Sequence, residues 1–302
     1  NDERKNYAAY IFAKWITEEE NNIDFVTEAG YLPVKDDAFN LLFETKNSIE
    51  NENYKNLYDT IDIMFRDYAT ARQEGDEWVV NGSKIFITNS ATPMTLGSTI
   101  QVITGESNGK PEFTTFLMEN DTPGFTQEAM DRKMMWRASN TGRLTFDKVR
   151  LPKENMLGAP GQGSHIMLAT LDGGRLSIAA MAFGCAQGAY EMALEYSKKR
   201  EQFGKQICKF QAVSFKLADM AMKIEAARCL LYKACRIKDA GMPFGKEAAM
   251  AKLYCSEVAA EVCDNAVQVM GGHGLLKDFN MERFYRDQRI LQIGEGTSEI
   301  LR

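Results

Sequence analysis

The chain has 302 residues, 44% hydrophobic and 26% charged, the balance of a globular protein long enough for two ordinary domains. Its net charge of −6, with no large block of Lys and Arg, disfavours a nucleic-acid partner. No run of eighteen apolar residues argues for a membrane span, and the opening NDERKNYAAY lacks the apolar stretch of a secretory signal.

Charge is unevenly spread along the chain. Residues 1–68 carry 7 basic against 15 acidic side chains, whereas 69–302 carry 29 against 27. A domain boundary or fusion near Tyr68 accounts for this seam. Residues 4–29 and 36–68 read as helices parted by Gly30-Tyr31-Leu32-Pro33-Val34, since glycine and proline both end helices. Leu41, Phe43, Leu57, Ile61, Met64 and Phe65 give the second a modest apolar face. Nothing in this stretch carries catalytic chemistry.

Residues 77–157 change period. Trp78-Val79-Val80 and Lys84-Ile85-Phe86-Ile87-Thr88 flank Asn81-Gly82, a pair suited to a tight hairpin turn. Further strands are expected at 98–104, 113–119 and 143–151, with turns at Asn108-Gly109 and Pro123-Gly124. The alternation predicts an antiparallel β segment with one buried face.

From Gly163 onward the chain reads as helix. One long helix is expected over 164–198. Val213, Leu217, Met220, Ile224, Ala227, Leu231 and Ala234 recur at steps of four and three, as do Ala248, Ala251, Cys255, Val258, Val262, Ala266 and Val269. Gly241 and Pro243 separate these two stripes, so the segment is an antiparallel bundle. The fold class is therefore α+β: an acidic helical segment (1–68), an antiparallel β-domain (69–157) and a C-terminal helical bundle (158–302).

Cys185, Cys208, Cys229, Cys235, Cys255 and Cys263 form no CxxC pair and have no histidine at zinc-like spacing. They read as reduced thiols in core or on surface, with no metal site, in a reducing compartment. Gly271-Gly272-His273-Gly274 is a turn whose bare backbone suits a pyrophosphate, and equally a plain helix-ending turn. There is no Rossmann fingerprint and no P-loop. Glu295 stands between Gly294 and Gly296, which suits a general base reaching into a narrow cleft; the same spacing also fits a solvated loop glutamate. His165 and His273, the only histidines, read as structural.

Motifs in order then give a resemblance. WVVNGSKIFITN (78–89), LDGGR (171–175), KREQFGKQICKFQAVSFKLADMA (199–221) and above all QVMGGHGLLKDFNMERFYRDQRILQIGEGTSEILR (268–302) resemble the acyl-CoA dehydrogenase family of flavoproteins. The resemblance covers residues 69–302. It implies FAD held between the β-domain and the bundle and across a subunit contact. By motif, Phe86 and Thr88 would lie against the flavin ring, and Arg200, Phe203 and Gln211 would hold a neighbouring subunit's cofactor. Gln268, Gly271 and Gly272 would receive its pyrophosphate end, and Thr297 and Glu299 its adenosine side. Asp172, Arg175 and Gly296 match substrate-lining positions, and Glu295 the catalytic base. Some relatives place the base immediately before the arginine matched by Arg175; here that residue is Gly174, leaving Glu295.

The implied activity is FAD-dependent α,β-dehydrogenation of an acyl-CoA thioester to the trans-2-enoyl-CoA, a step of fatty-acid β-oxidation. Electrons would pass to an electron-transferring flavoprotein, and the protein would be a cytoplasmic homo-oligomer, dimer or tetramer. The sequence departs from the family pattern in three respects. Gly294 replaces an aromatic residue, Asn140 follows Ser139 where Asp is frequent, and the helical domain of about a hundred residues that precedes the β-domain has no counterpart. An N-terminally truncated member is implied. Residues 1–68, through YAAYIFAKWITEEENNIDFVTEAGYLPVKDDAF (7–39), resemble instead the C-terminal part of a sugar ABC-transporter solute-binding protein. The opposing functional reading is a non-catalytic fragment or solute-binding or scaffold fusion whose flavin motifs are empty.

Overall fold

The structure, a computed structural model, describes residues 69–107 and 109–302. The two helices expected in the acidic segment, and the solute-binding resemblance, lie outside them.

A seven-stranded sheet comes first. Its strands are β1 (Thr70–Glu74), β2 (Glu77–Thr88), β3 (Gly97–Ser107), β4 (Lys110–Glu119), β5 (Phe125–Ala129), β6 (Thr141–Pro152) and β7 (Met156–Leu157), in the spatial order β5-β6-β2-β1-β3-β4-β7. All neighbours are antiparallel except β1 and β3, which meet as a parallel pair at Thr70 and Ile103, so the sheet is mixed rather than purely antiparallel.

The hairpin expected at Asn81-Gly82 is not there. β2 runs unbroken through it, and the hairpin turn falls at Gly75-Asp76, where Glu74 pairs with Glu77 and Gly75 has φ 67°. Asn81-Gly82 instead serves a bulge: the β2–β6 register shifts between Val80 and Gly82. The Asn81 side-chain oxygen accepts the Lys148 amide at 2.9 Å, and Lys148 takes a left-handed φ of 51°. A side chain that bonds locally and a glycine that tolerates φ 116° suit an extra residue as well as a turn. The alternation holds on β6, which buries Leu144, Phe146, Val149 and Leu151, whereas β2 buries Trp78, Val79 and Val80 in succession. Trp78 tilts against Phe116 at 5.5 Å, and Phe125 stacks on Phe146 at 5.5 Å.

Three long helices follow: α1 (Gly163–Lys199), α2 (Gln211–Asp239) and α3 (Gly245–Met270). Every stripe residue expected on α3 is buried, as are all those on α2 except Val213, which is half-buried. The stripe of α1 is made of small side chains: Ala179, Ala182, Ala186, Ala189 and Ala193 are all buried. Alanine seams let helix backbones approach closely, so a larger side chain on the seam meets its neighbours. Ala189→Leu is expected to cost about 1–3 kcal/mol through overpacking; urea unfolding checks it, and an unchanged midpoint would show that the seam has slack.

The same alanines raise the average apolarity of α1 without any continuous apolar run. Among the described residues it is the one helix long and apolar enough, by length and composition, to cross a bilayer, its best 18-residue window reaching a mean hydropathy of 1.3. The expectation drawn from uninterrupted runs missed this.

The sheet and bundle are joined at two places. Gly163 starts α1 directly against β4, where a Cβ would come within 2.7 Å of the Phe113 carbonyl. The loop before β6 docks on α4 (Met281–Asp287): the Trp136 amide donates to Asp287 at 2.7 Å, and Arg286 donates to the Met134 carbonyl at 3.1 Å. A hairpin of β8 (Glu201–Gln202) and β9 (Lys205–Gln206) follows α1, and a final turn of helix, α5 (Ser298–Leu301), ends the chain.

Candidate active site

The residues between Gln292 and α5 form a short loop of unusual backbone. Glu295 adopts φ 58° and Gly296 φ 100°, both in the left-handed region. For glutamate this conformation is costly and persists only where surroundings impose it. The loop turns the Glu295 side chain onto α1, where its carboxylate rests on Gly174: a Cβ there would lie 2.4 Å from Oε2. Glu295 is half-buried, not a freely solvated loop residue.

Three charged side chains surround it. Arg175, one residue beyond Gly174, donates from Nε to the Glu295 carbonyl at 3.4 Å and from Nη1 to Asp172 Oδ1 at 2.9 Å. That ion pair is largely enclosed, with side chains 14% and 29% exposed. The other Asp172 oxygen faces the start of α3, where a Cβ on Gly245 would come within 2.7 Å. The third is Lys252 on α3, 0% exposed, whose Nζ donates to the Gly296 carbonyl. Burial, helped by the neighbouring Arg175 charge, pushes its ammonium down to about 8, while Glu295 and Glu299 pull the other way.

Glu295, Gly296, Asp172 and Arg175 are thus brought together, as the motifs imply. Lys252 and Gly245 were missed. A signal existed for Lys252: it lies four residues after Ala248 and three before Cys255, on the flank of an otherwise apolar stripe.

The remaining candidates stand apart, mostly exposed. Phe86 is 58% exposed at a left-handed φ of 64°, with Thr88 exposed two residues on. Phe203, at the tip of the β8–β9 hairpin, is 94% exposed with φ 51°. Arg200, Gln211 and Gln268 are exposed too. Gly271 (φ 57°) and Gly272 lie in the turn after α3, with nothing within 4 Å of where a Cβ would project. A 2.9 Å hydrogen bond between the Tyr196 hydroxyl and His273 Nδ1 ties this turn to the end of α1, four residues before Arg200. His273 is thereby accounted for structurally. Thr297 is half-buried and Glu299 exposed beside the Glu295 loop.

Surface cavities lie elsewhere: one of about 650 Å³ along α2 from Arg228 to Met242, one of about 360 Å³ between Trp136, Ser139 and Arg286, and one of about 220 Å³ between Trp136, Cys185 and Asp287. None is lined by a candidate site residue.

Known proteins share the sequence and fold of this chain. Residues 62–149 match the model of the acyl-CoA dehydrogenase middle domain, and residues 161–302 that of the acyl-CoA dehydrogenase C-terminal domain. The first match begins seven residues inside the acidic segment; the comparisons lend no support to a solute-binding resemblance there. A probable acyl-CoA dehydrogenase YngJ of Bacillus subtilis is 47% identical over 233 residues, covering 77% of this chain and 61% of the relative. The short-chain specific mitochondrial acyl-CoA dehydrogenase of Rattus norvegicus is 45% identical, with 78% and 56% covered. Among solved structures, butyryl-CoA dehydrogenase from Megasphaera elsdenii aligns with a TM-score of 0.74 at 47% identity, covering 77% of this chain and 61% of that one. A chain from a study of the electron transferring flavoprotein of Acidaminococcus fermentans aligns at 0.73 and 45%, covering 78% and 62%. The chain spans about three fifths of the length of these relatives. Through its middle and C-terminal domains, matched in order by sequence and by fold, it belongs to the acyl-CoA dehydrogenase family.

Proposed function

We propose that this chain carries the chemistry of an FAD-dependent acyl-CoA dehydrogenase, converting a short-chain acyl-CoA to the trans-2-enoyl-CoA. The supporting observation is the Glu295 carboxylate, held on the bare backbone of Gly174 beside the enclosed Asp172–Arg175 pair. The short-chain assignment rests on the names of the relatives.

The residues present fit the cofactor. A flavin needs an aromatic or apolar face with hydrogen-bonding groups near it, and Phe86, on a left-handed backbone, and Thr88 are both exposed. A pyrophosphate needs bare amide backbone, and Gly271 and Gly272, with Gln268 beside them, present it. Arg200, Phe203 and Gln211 would complete the grip from a second subunit, and Thr297 and Glu299 would meet the adenosine. When bound, FAD supplies the acceptor for the hydride that leaves the substrate β-carbon.

The chain's own part is proton removal. Glu295 accepts the α-proton at a carboxylate oxygen as the Cα–Cβ double bond forms, and becomes the carboxylic acid. Its backbone amide would donate to the thioester oxygen, a polarisation that makes the α-hydrogen acidic enough to be taken. Gly174 leaves the room in which the carboxylate and the α-carbon meet. Asp172, Arg175 and Gly296 wall that room.

The proposal includes a homo-oligomer, a soluble cytoplasmic setting, fatty-acid oxidation as the context, and an electron-transferring flavoprotein as the oxidising partner. Titration of the purified chain with FAD, followed by anaerobic butyryl-CoA, tests it. Uptake of a yellow chromophore that bleaches with substrate is expected. A colourless protein that takes up no FAD would establish the empty-motif reading instead.

A further inference from the structure

Lys252 is a buried charge that the mechanism above does not use. It comes from α3 while Arg175 comes from α1, and the two helices pack side by side. Their cationic groups donate to the carbonyls of consecutive residues, Arg175 to Glu295 and Lys252 to Gly296. Those two residues hold the left-handed φ angles of 58° and 100°. Nothing in the loop's own composition enforces that conformation: Gly294 and Gly296 leave it free to relax. The conformation, in turn, is what lays the carboxylate on Gly174.

We propose that Lys252 is a positioning residue, pinning the Gly296 carbonyl so that, together with Arg175, it locks the Glu295 loop in the conformation that presents the base. The proposal rests on the acyl-CoA dehydrogenase reading for its functional consequence, but the clamp itself is a property of the chain. A fully buried ammonium is a poor stabilising device, because its loss of hydration is repaid only by well-made bonds. Here the charged groups facing it are Arg175 from α1, which opposes its protonation, Glu295 from the loop and Glu299 from α5, which favour it. A lysine kept for packing alone would be better replaced by methionine. A lysine kept to hold one carbonyl would not.

Lys252→Met tests this, read first by hydrogen–deuterium exchange of the whole chain. Loss of a charge-assisted hydrogen bond should speed exchange of the hydrogen-bonded amides that flank the loop, Ile293, Gly294 and Leu301, by about tenfold or more, with the α1 and α3 interiors unchanged. Lys252→Arg, which keeps the charge and the donors, should restore protection. With FAD bound, the rate of bleaching by butyryl-CoA should fall about tenfold in Lys252→Met without a matching rise in the substrate concentration for half-maximal rate. Unchanged loop exchange in Lys252→Met overturns the proposal. So does faster exchange spread through α1 and α3, which would make Lys252 a core residue and nothing more. If Lys252→Met does not fold, Lys252→Arg decides, since near-native loop protection supports the clamp and loss of it refutes it. Glu295→Gln separates the two readings: if that variant still bleaches, the function assigned above fails, while the exchange data still judge the clamp.

Discussion

Glu295→Gln is expected to keep its flavin and lose bleaching by butyryl-CoA, with the rate falling about 10²–10⁴-fold, the usual contribution of a positioned general base. Glutamine is nearly isosteric, so the contact with Gly174 and the loop carbonyl bonds to Arg175 and Lys252 survive. What disappears is the acceptor for the α-proton. Stopped-flow absorbance measures the rate, and the flavin content of the same sample shows that the cofactor is still bound. A variant that bleaches at the native rate would remove Glu295 from the role, and with it the chemistry proposed for this chain.

Gly174→Ala should separate stability from activity. A single methyl at this position would lie 2.4 Å from one carboxylate oxygen of Glu295 and 2.8 Å from its carboxyl carbon. No contact that short is tolerated, and the flexible glutamate side chain is the part that moves. Alanine replaces glycine inside a helix, which favours folding by roughly 0.5–1 kcal/mol. The variant is therefore expected to unfold no earlier than the parent while its bleaching rate drops about 10²-fold, the scale on which a displacement near 1 Å counts. Full activity would mean that the carboxylate does not work from the spot it occupies here. Early unfolding would mean that Gly174 is required by packing and not by the base.

The contact also gives physical content to a feature read from the motifs. Relatives that carry the base immediately before the arginine would carry it at the position of Gly174. In this fold positions 174 and 295, 121 residues apart, converge on one point in space.

The helices were legible because their stripes are long and their period is unambiguous, so both α2 and α3 emerged close to their observed spans. The short strands were not. β1 (TARQE) and β5 (FTQEA) have five residues each, too few and too polar for alternation to stand out. The Asn81-Gly82 hairpin misled because the chemistry that turns a chain also accommodates a bulge; only pairing with β6 decides between them. At the site, Glu295, Asp172 and Arg175 came from a resemblance that carries whole motifs. Lys252 did not: its spacing from Ala248 and Cys255 marked the buried face, but a lysine there reads as a solvated edge of the stripe.

The unbroken course of α1 has one more implication. From Arg175 to Arg200 the helix climbs about 38 Å, more than the width of a small domain. One end of that rod carries the floor beneath the base; the other carries the hairpin arginine and, through Tyr196 and His273, the glycine turn. A straight helix of this length holds those two groups of residues at opposite ends of one rod. On the reading proposed above, the grip of the hairpin and the base of one polypeptide would serve different centres of a homo-oligomer.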